Sequence, residues 1–177
     1  IKILYFIILK ILGEDFLLQE PEEEFFMELK YRFSKTSISR MKGVDPRLIV
    51  LITSYLNLGK KDIGVSYGAR TEEEQKYMLE HGKSKVTRSK HLLSKELLTT
   101  AKGFKLDILE ANAIDIVAYK AGKPVWEREY YKDIIIDMKE IAKLYEWEND
   151  INWGWDFKSL DDPYHISVKE LNDGGIK

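Results

Sequence analysis

Asn112-Ala113-Ile114-Asp115-Ile116-Val117-Ala118-Tyr119 reads as a β-strand whose two faces differ. Side chains alternate across a strand, so Ile114 and Ile116 share one face while Ala113, Asp115 and Val117 share the other. The first face packs on a helix, and the second turns Asp115 toward an open cleft. Tyr164-His165-Ile166-Ser167-Val168 repeats this arrangement near the end of the chain. Ile166 and Val168 face the core there, and His165 and Ser167 face the other side. Two strands therefore each present one metal-binding group from the face away from the core.

The neighbouring segments supply the rest of a sheet and its helices. Asp62 to Tyr67 and Ile151 to Trp155 are short strands. Pro46 opens a helix with Asp45 as its N-cap, and that helix stops before Gly59. Thr71 and Glu74 have the spacing of a capping box, and their helix runs through Gln75 and Leu79 to Gly82. Glu129 to Trp147 is the strongest helical pattern, with Ile134, Met138, Ile141 and Tyr145 on one stripe. Glu22 to Phe33 places Phe25, Phe26, Leu29 and Phe33 at helical spacing, after an acidic loop over Glu14 to Glu24 that holds Pro21. Gly122 and Pro124 sit in the turn after the Asp115 strand. The sum predicts an α+β fold, a small antiparallel sheet backed by helices.

A chain of 177 residues suits one domain with a real core, and 44% hydrophobic against 33% charged residues suits a globular protein. The net charge of −2 and the scattered Lys and Arg give no basic stripe, which excludes nucleic acid as the expected partner. With no cysteine there is no disulfide, thiolate metal site or Cys nucleophile, so any metal rests on His, Asp or Glu. Only His81, His91 and His165 are present to supply imidazole. Ile1 to Leu12 (IKILYFIILKIL) stands apart: it is almost wholly apolar but shorter than the roughly 20 residues a spanning helix needs. It reads as the remnant of a signal or anchor, or as a buried N-terminal helix. Lys10 and the lack of a small-x-small cleavage site weigh against the signal. Residues 1–20 are thus set apart from a domain over 21–177.

A hydrolytic zinc site needs three protein ligands and one open position. His91, Asp115 and His165 provide two imidazoles and one carboxylate. Zinc in such a set polarises a carbonyl and lowers the pKa of a water to about 7. A general base must reach that water. Asp162 lies three positions before His165, which on a regular strand would put the two on opposite faces. Pro163 makes a turn there, and the turn can bring both to one side. Arg70, at a strand-to-helix junction, suits a substrate carboxylate or a developing oxyanion, or a salt bridge with Glu72 to Glu74. Each residue also has a plainer reading alone. A single His is more often a surface or core residue than a ligand, Asp115 suits a strand edge, and Asp162 before Pro163 is a common turn signal. His81, next to Gly82, suits a helix C-terminus and is read as structural.

Order and context tie these residues together. Gly68-Ala69-Arg70-Thr71, Glu74-Gln75, Gly82-Lys83-Ser84-Lys85 and Ser89-Lys90-His91 are followed by Ala113-Ile114-Asp115, Trp153-Gly154-Trp155-Asp156 and Asp162-Pro163-Tyr164-His165. Over roughly Val44 to Val168 the chain resembles the zinc peptidases of peptidoglycan, which include D-alanyl-D-alanine carboxypeptidases and phage-type L-alanyl-D-glutamate endopeptidases. The resemblance implies one Zn2+ per chain held by His91, Asp115 and His165, with Asp162 as base. It implies that Arg70 holds the substrate or its oxyanion, that Ser89 lines the site or supports His91, and that Tyr164 and Trp155 shape the cleft or simply pack. The substrate it implies is a peptidoglycan stem peptide cut at the L-alanyl-D-glutamate bond, with D-alanyl-D-alanine carboxypeptidase as the alternative. A non-catalytic wall-binding domain on the same scaffold is the alternative of another class. No stable protein partner is expected. An export signal at the N-terminus would place the protein in the cell envelope or periplasm; otherwise it is cytoplasmic with release to the wall.

One departure stands out. His91 and Asp115 lie 24 positions apart, where the family pattern has seven, and Ser94 replaces the pattern's glycine. The inserted stretch, about 94–110, is rich in Lys and Leu and is expected to form an extra helix and loop over the cleft, a lid. A rival register takes Asp107, four positions after Gly103, as the carboxylate ligand. Asp115 is preferred because Ala113, Ile114, Ile116 and Val117 fit a strand, while Lys105 fits poorly.

Overall fold

The computed structural model describes residues 29–84, 87, 89–99, 105–158 and 161–169, with the backbone alone for 94–99 and 105–110. The elements in chain order are α1 (Lys35–Arg40), α2 (Pro46–Asn57), β1 (Asp62–Tyr67), α3 (Glu72–Glu80), β2 (Ser94–Thr99), β3 (Lys105–Glu110) and β4 (Ala113–Lys120). β5 (Lys123–Val125), α4 (Arg128–Leu144), β6 (Ile151–Trp153), a 3-10 turn (Gly154–Asp156) and β7 (His165–Val168) follow. Ile1 to Leu12, the acidic loop and residues 22–28 of the expected first helix lie outside the described residues. No described helix is long and apolar enough to cross a membrane.

The local signals act where they were expected. The Asp45 carboxylate accepts from the Arg47 amide at 2.8 Å and starts α2. At α3 the capping box is closed both ways, Thr71 N to Glu74 Oε2 at 2.8 Å and Glu74 N to Thr71 Oγ1 at 3.2 Å. Gly82, past the end of α3, takes φ +67°, the left-handed conformation that glycine adopts without penalty.

Five expectations need correction. Residues 29–34 are not helical; the helix begins at Lys35, because the Ser34 hydroxyl caps the Ser37 amide, and Tyr31 and Phe33 pack on the core from a non-helical chain. The insertion is a strand pair, not a helix and loop: β2 and β3 run antiparallel from Ser94↔Glu110 to Thr99↔Lys105. Pro124 lies inside β5, an edge strand where its missing N–H costs no ladder bond. The strand at Ile151 ends at Trp153 and the helix from Arg128 ends at Leu144, both short of their expected limits.

The main sheet is antiparallel, in the order β1-β4-β7-β6, with β5 also on β4. β4 is the axis. One edge carries β1; the other carries β7 over Ala113–Asp115 and β5 over Ala118–Lys120. Between those two partners the Ile116 amide donates to the Tyr164 carbonyl at 3.0 Å. The buried Tyr131 hydroxyl accepts from the Ala118 amide at 2.8 Å and donates to the Val125 carbonyl at 2.7 Å. The junction is thus satisfied without a continuous partner strand.

One face of this sheet packs on α2 and α4. Leu48, Leu51, Ile52 and Tyr55 of α2 and Ile134, Ile135, Met138 and Ile141 of α4 meet Ile114, Ile116, Ile166 and Val168 of the sheet. The i, i+3, i+4 spacing puts each helical set on one stripe. Each fully buried side chain contributes about 1.5–3 kcal/mol against the entropy of ordering the chain. The opposite face is not open throughout, since Ala113, Val117 and Ser167 are also buried. Asp115 and His165 stay partly exposed on this face, as do Tyr67, Tyr119 and Asn152.

Candidate metal centre

Register builds the site. Asp115 of β4 lies directly opposite His165 of β7 and opposite Tyr67 of β1. Residues opposite each other across a ladder project from the same face with Cβ atoms about 5 Å apart. On the β1 side this alignment depends on an irregularity between Val65 and Tyr67. There the Ser66 hydroxyl donates to the Asp115 carbonyl at 3.1 Å, and Tyr67 is carried to its place beside Asp115.

His91 comes from outside the sheet and is fixed through its carbonyl, its amide and its ring Nδ1. Its carbonyl accepts from the Arg70 amide at 2.6 Å, and the Leu93 amide donates to the Arg70 carbonyl at 2.9 Å. Its own amide donates to the Ser89 hydroxyl at 3.3 Å. Its Nδ1 lies 2.9 Å from the Gly68 carbonyl. A carbonyl only accepts, so Nδ1 carries the proton and Nε2 is left with its lone pair toward the cleft. The Tyr67 ring meets the imidazole edge-on, with centroids 5.5 Å apart.

Three atoms able to bind a metal then converge. His91 Nε2 lies 3.3 Å from His165 Nδ1 and 3.3 Å from Asp115 Oδ1, and His165 Nδ1 lies 2.9 Å from Asp115 Oδ1. Bonds of about 2.0–2.1 Å in a tetrahedral site separate neighbouring donors by about 3.3 Å, so one small ion fits this triangle. Among the described residues these three form the one such group. His91 is buried, while the side chains of Asp115 and His165 are 25% and 14% exposed, so one side faces solvent. Burial pushes the Asp115 carboxyl up, but hydrogen bonds with His165 and His91 and their charge outweigh it and hold it well below the usual carboxylate range.

Asp162 shares this electrostatic environment. Burial raises its carboxyl above the ordinary value and so does the Asp115 charge, while His165 and His91 pull it down. Its carbonyl accepts from the His165 amide at 3.2 Å, so the Asp162-Pro163 turn folds back toward His165. Gly154 makes that turn possible. A Cβ built on Gly154 would stand 2.0 Å from the Asp162 carbonyl oxygen and 2.9 Å from His165 Cβ. Gly154→Ala is therefore expected to cost about 1–3 kcal/mol and to displace His165. Thermal melting with and without zinc reads both effects, and unchanged zinc binding would contradict the second.

Arg70 is buried, and its partners are neutral. Nη1 donates to Gln75 Oε1 at 2.6 Å, Nε to the Tyr67 hydroxyl at 3.2 Å, and the guanidinium lies 4.5 Å from the Tyr67 ring centre. The salt bridge with Glu72 to Glu74 is not what holds it. Ser89 supports His91 through the backbone. Tyr164 packs edge-on against Trp126 and Tyr131 and donates to the Trp126 carbonyl. Trp155 lies under the Arg128 guanidinium. His81 is structural, its ring stacked on Tyr77 with Nδ1 2.8 Å from the Tyr77 carbonyl. Tyr67, the Gly68 carbonyl and Gln75 escaped sequence reasoning as parts of the site. Tyr67 had a signal, since an antiparallel partner for the Asp115 strand must bring one residue opposite Asp115.

Residues 29–176 match the family described as phage L-alanyl-D-glutamate peptidase. Among solved structures the chain is similar to the L-Ala D-Glu endopeptidase ChiX of Serratia marcescens, with 27% identity and a TM-score of 0.60 over 82% of this chain and 94% of that one. No curated protein sequence matches the chain.

Proposed function

Because the chain belongs to the phage L-alanyl-D-glutamate peptidase family, we propose that it hydrolyses the L-alanyl-D-glutamate bond of peptidoglycan stem peptides in a zinc-dependent reaction. The observation that carries this reading is the convergence of His91 Nε2, His165 Nδ1 and Asp115 Oδ1 at 2.9–3.3 Å on a cleft open to solvent. Two neutral imidazoles and one carboxylate suit zinc and leave it net positive. Bound there, zinc would polarise the scissile carbonyl and lower the pKa of a water to about 7.

The chain's own residues do the rest. Asp162, with its proton affinity raised by burial and by Asp115, takes a proton from the attacking water and passes it to the leaving amine. Arg70 offers a buried guanidinium with only neutral partners, a setting that favours an anionic group of the substrate such as the glutamate carboxylate. Tyr67 and Gln75 hold that guanidinium in place, and the Gly68 carbonyl holds the His91 tautomer.

Digestion of purified peptidoglycan, read by mass spectrometry, tests the reaction. The expected products carry a free L-alanine carboxyl and a new D-glutamate amine. Release of D-alanine alone would replace this reading with a carboxypeptidase. No product from zinc-loaded protein would leave a wall-binding domain.

A further inference from the structure

We propose that Arg128 is a positioning residue that holds the segment bearing Asp162. The inference rests on the reading of Asp162 as the base. Among the described residues the Asp162 carboxylate accepts no hydrogen bond, so its place depends on the backbone around it. The side chain of the preceding residue, Asp161, is held from α4. Arg128, the first residue of the helix, donates from Nη1 to Asp161 and from Nη2 to the Trp155 carbonyl at 2.8 Å, and its guanidinium lies 4.2 Å from the Trp155 ring centre. One planar group therefore ties the turn before the segment to the residue next to the base. Three contacts at once need the rigid fork of arginine, which a lysine ammonium does not reproduce.

Arg128 is well placed to act as an anchor. Three positions later Tyr131 is fully buried and bonded to β4 and β5, so the start of α4 is fixed to the sheet that carries Asp115. Lys139 of the same helix holds the next residue of the turn, with Nζ 2.7 Å from Asp156 Oδ2. On its other side the segment rests against Gly154, whose missing side chain admits the Asp162 carbonyl. The Asp161 side chain is 75% exposed, and an exposed ion pair contributes only about 0–1 kcal/mol to stability. A large loss of turnover on removing Arg128 is thus not explained by unfolding.

The test compares wild type, Arg128→Ala, Arg128→Lys, Asp161→Ala and the Arg128→Ala/Asp161→Ala double variant for kcat, KM, zinc content and melting temperature. Arg128→Ala is expected to lower kcat by about 10–100-fold, the scale set by a displacement of about 1 Å. KM, zinc content and melting temperature should stay near wild type. Arg128→Lys should recover only part of the loss, and the double variant should be little worse than Arg128→Ala, because the two residues act as one unit. Unchanged kcat in Arg128→Ala would overturn the inference. So would a raised KM at constant kcat, which would make Arg128 a substrate contact. Full activity in Asp162→Asn would overturn the base itself, a failure distinct from any result at Arg128.

Discussion

Asp162→Asn is expected to leave the protein folded and able to bind zinc, and to lower kcat by about 10²–10⁴-fold, the contribution of a positioned acid–base group. The change keeps the shape of the side chain, so packing against the Gly154 turn is preserved. It also removes a negative charge that shares a half-buried site with Asp115, which relieves repulsion in the resting protein. The folded state should therefore be no less stable, and the ligand triangle is untouched. An amide cannot take the proton from water, so the loss falls on the chemical step, and KM should change little. Kinetics on a defined muropeptide beside a zinc titration separate these effects. Full activity would remove Asp162 from the mechanism, and loss of zinc together with activity would make it a part of the metal site.

The second large effect is expected at the ligands. Elemental analysis should find about one zinc per chain in the parent protein and none in His91→Ala or Asp115→Ala, with hydrolysis abolished in both. Loss of a partner that merely orients a ligand costs about 10–100-fold in metal affinity, and loss of a ligand costs more. His91→Ala carries a further penalty of about 1–3 kcal/mol, since the Gly68 carbonyl loses its hydrogen bond in a buried place. Zinc at 100 times its dissociation constant should stabilise the parent by about 2.7 kcal/mol, or roughly 5–10 °C in melting temperature for a chain of this size. The variants should show no such shift. Zinc retained in Asp115→Ala but lost in His91→Ala would move the carboxylate ligand elsewhere in the chain, with Asp107 the first to test.

Much of this architecture was legible from local signals. The strand over Asp62 to Tyr67 and the start of α2 at Pro46 fall where the sequence puts them, because a cap, a proline and an alternation each act within a few residues. The capping box of Thr71 and Glu74 is legible for the same reason. The meeting of Asp115 and His165 was legible because their strands each place a polar residue between aliphatic ones, and the register then sets the two side by side. The insertion was misread because Ser-Lys-Glu-Leu-Leu and Lys-Leu-Asp-Ile-Leu-Glu have helix-forming composition. What makes them strands is pairing with each other, a term that no single window contains. The roles of Gly68 and Gly154 were hidden for a related reason. Each is required by a backbone distant in sequence, Arg40 for the first and Asp162 for the second.

The β2–β3 hairpin leaves the chain at Ser94 and returns at Glu110, and those two residues are paired with one another. The excursion thus begins and ends at a single rung of a ladder. Just outside it, Leu92 bridges to Arg70 and Ala111 to Val44, so both stems are clamped before the chain departs. Doubling the length of such a loop adds only about 0.6 kcal/mol of closure cost. This is therefore a natural grafting port. Exchanging or lengthening the sequence here is expected to leave the mutual geometry of His91 and Asp115, on either side of the stem, unchanged.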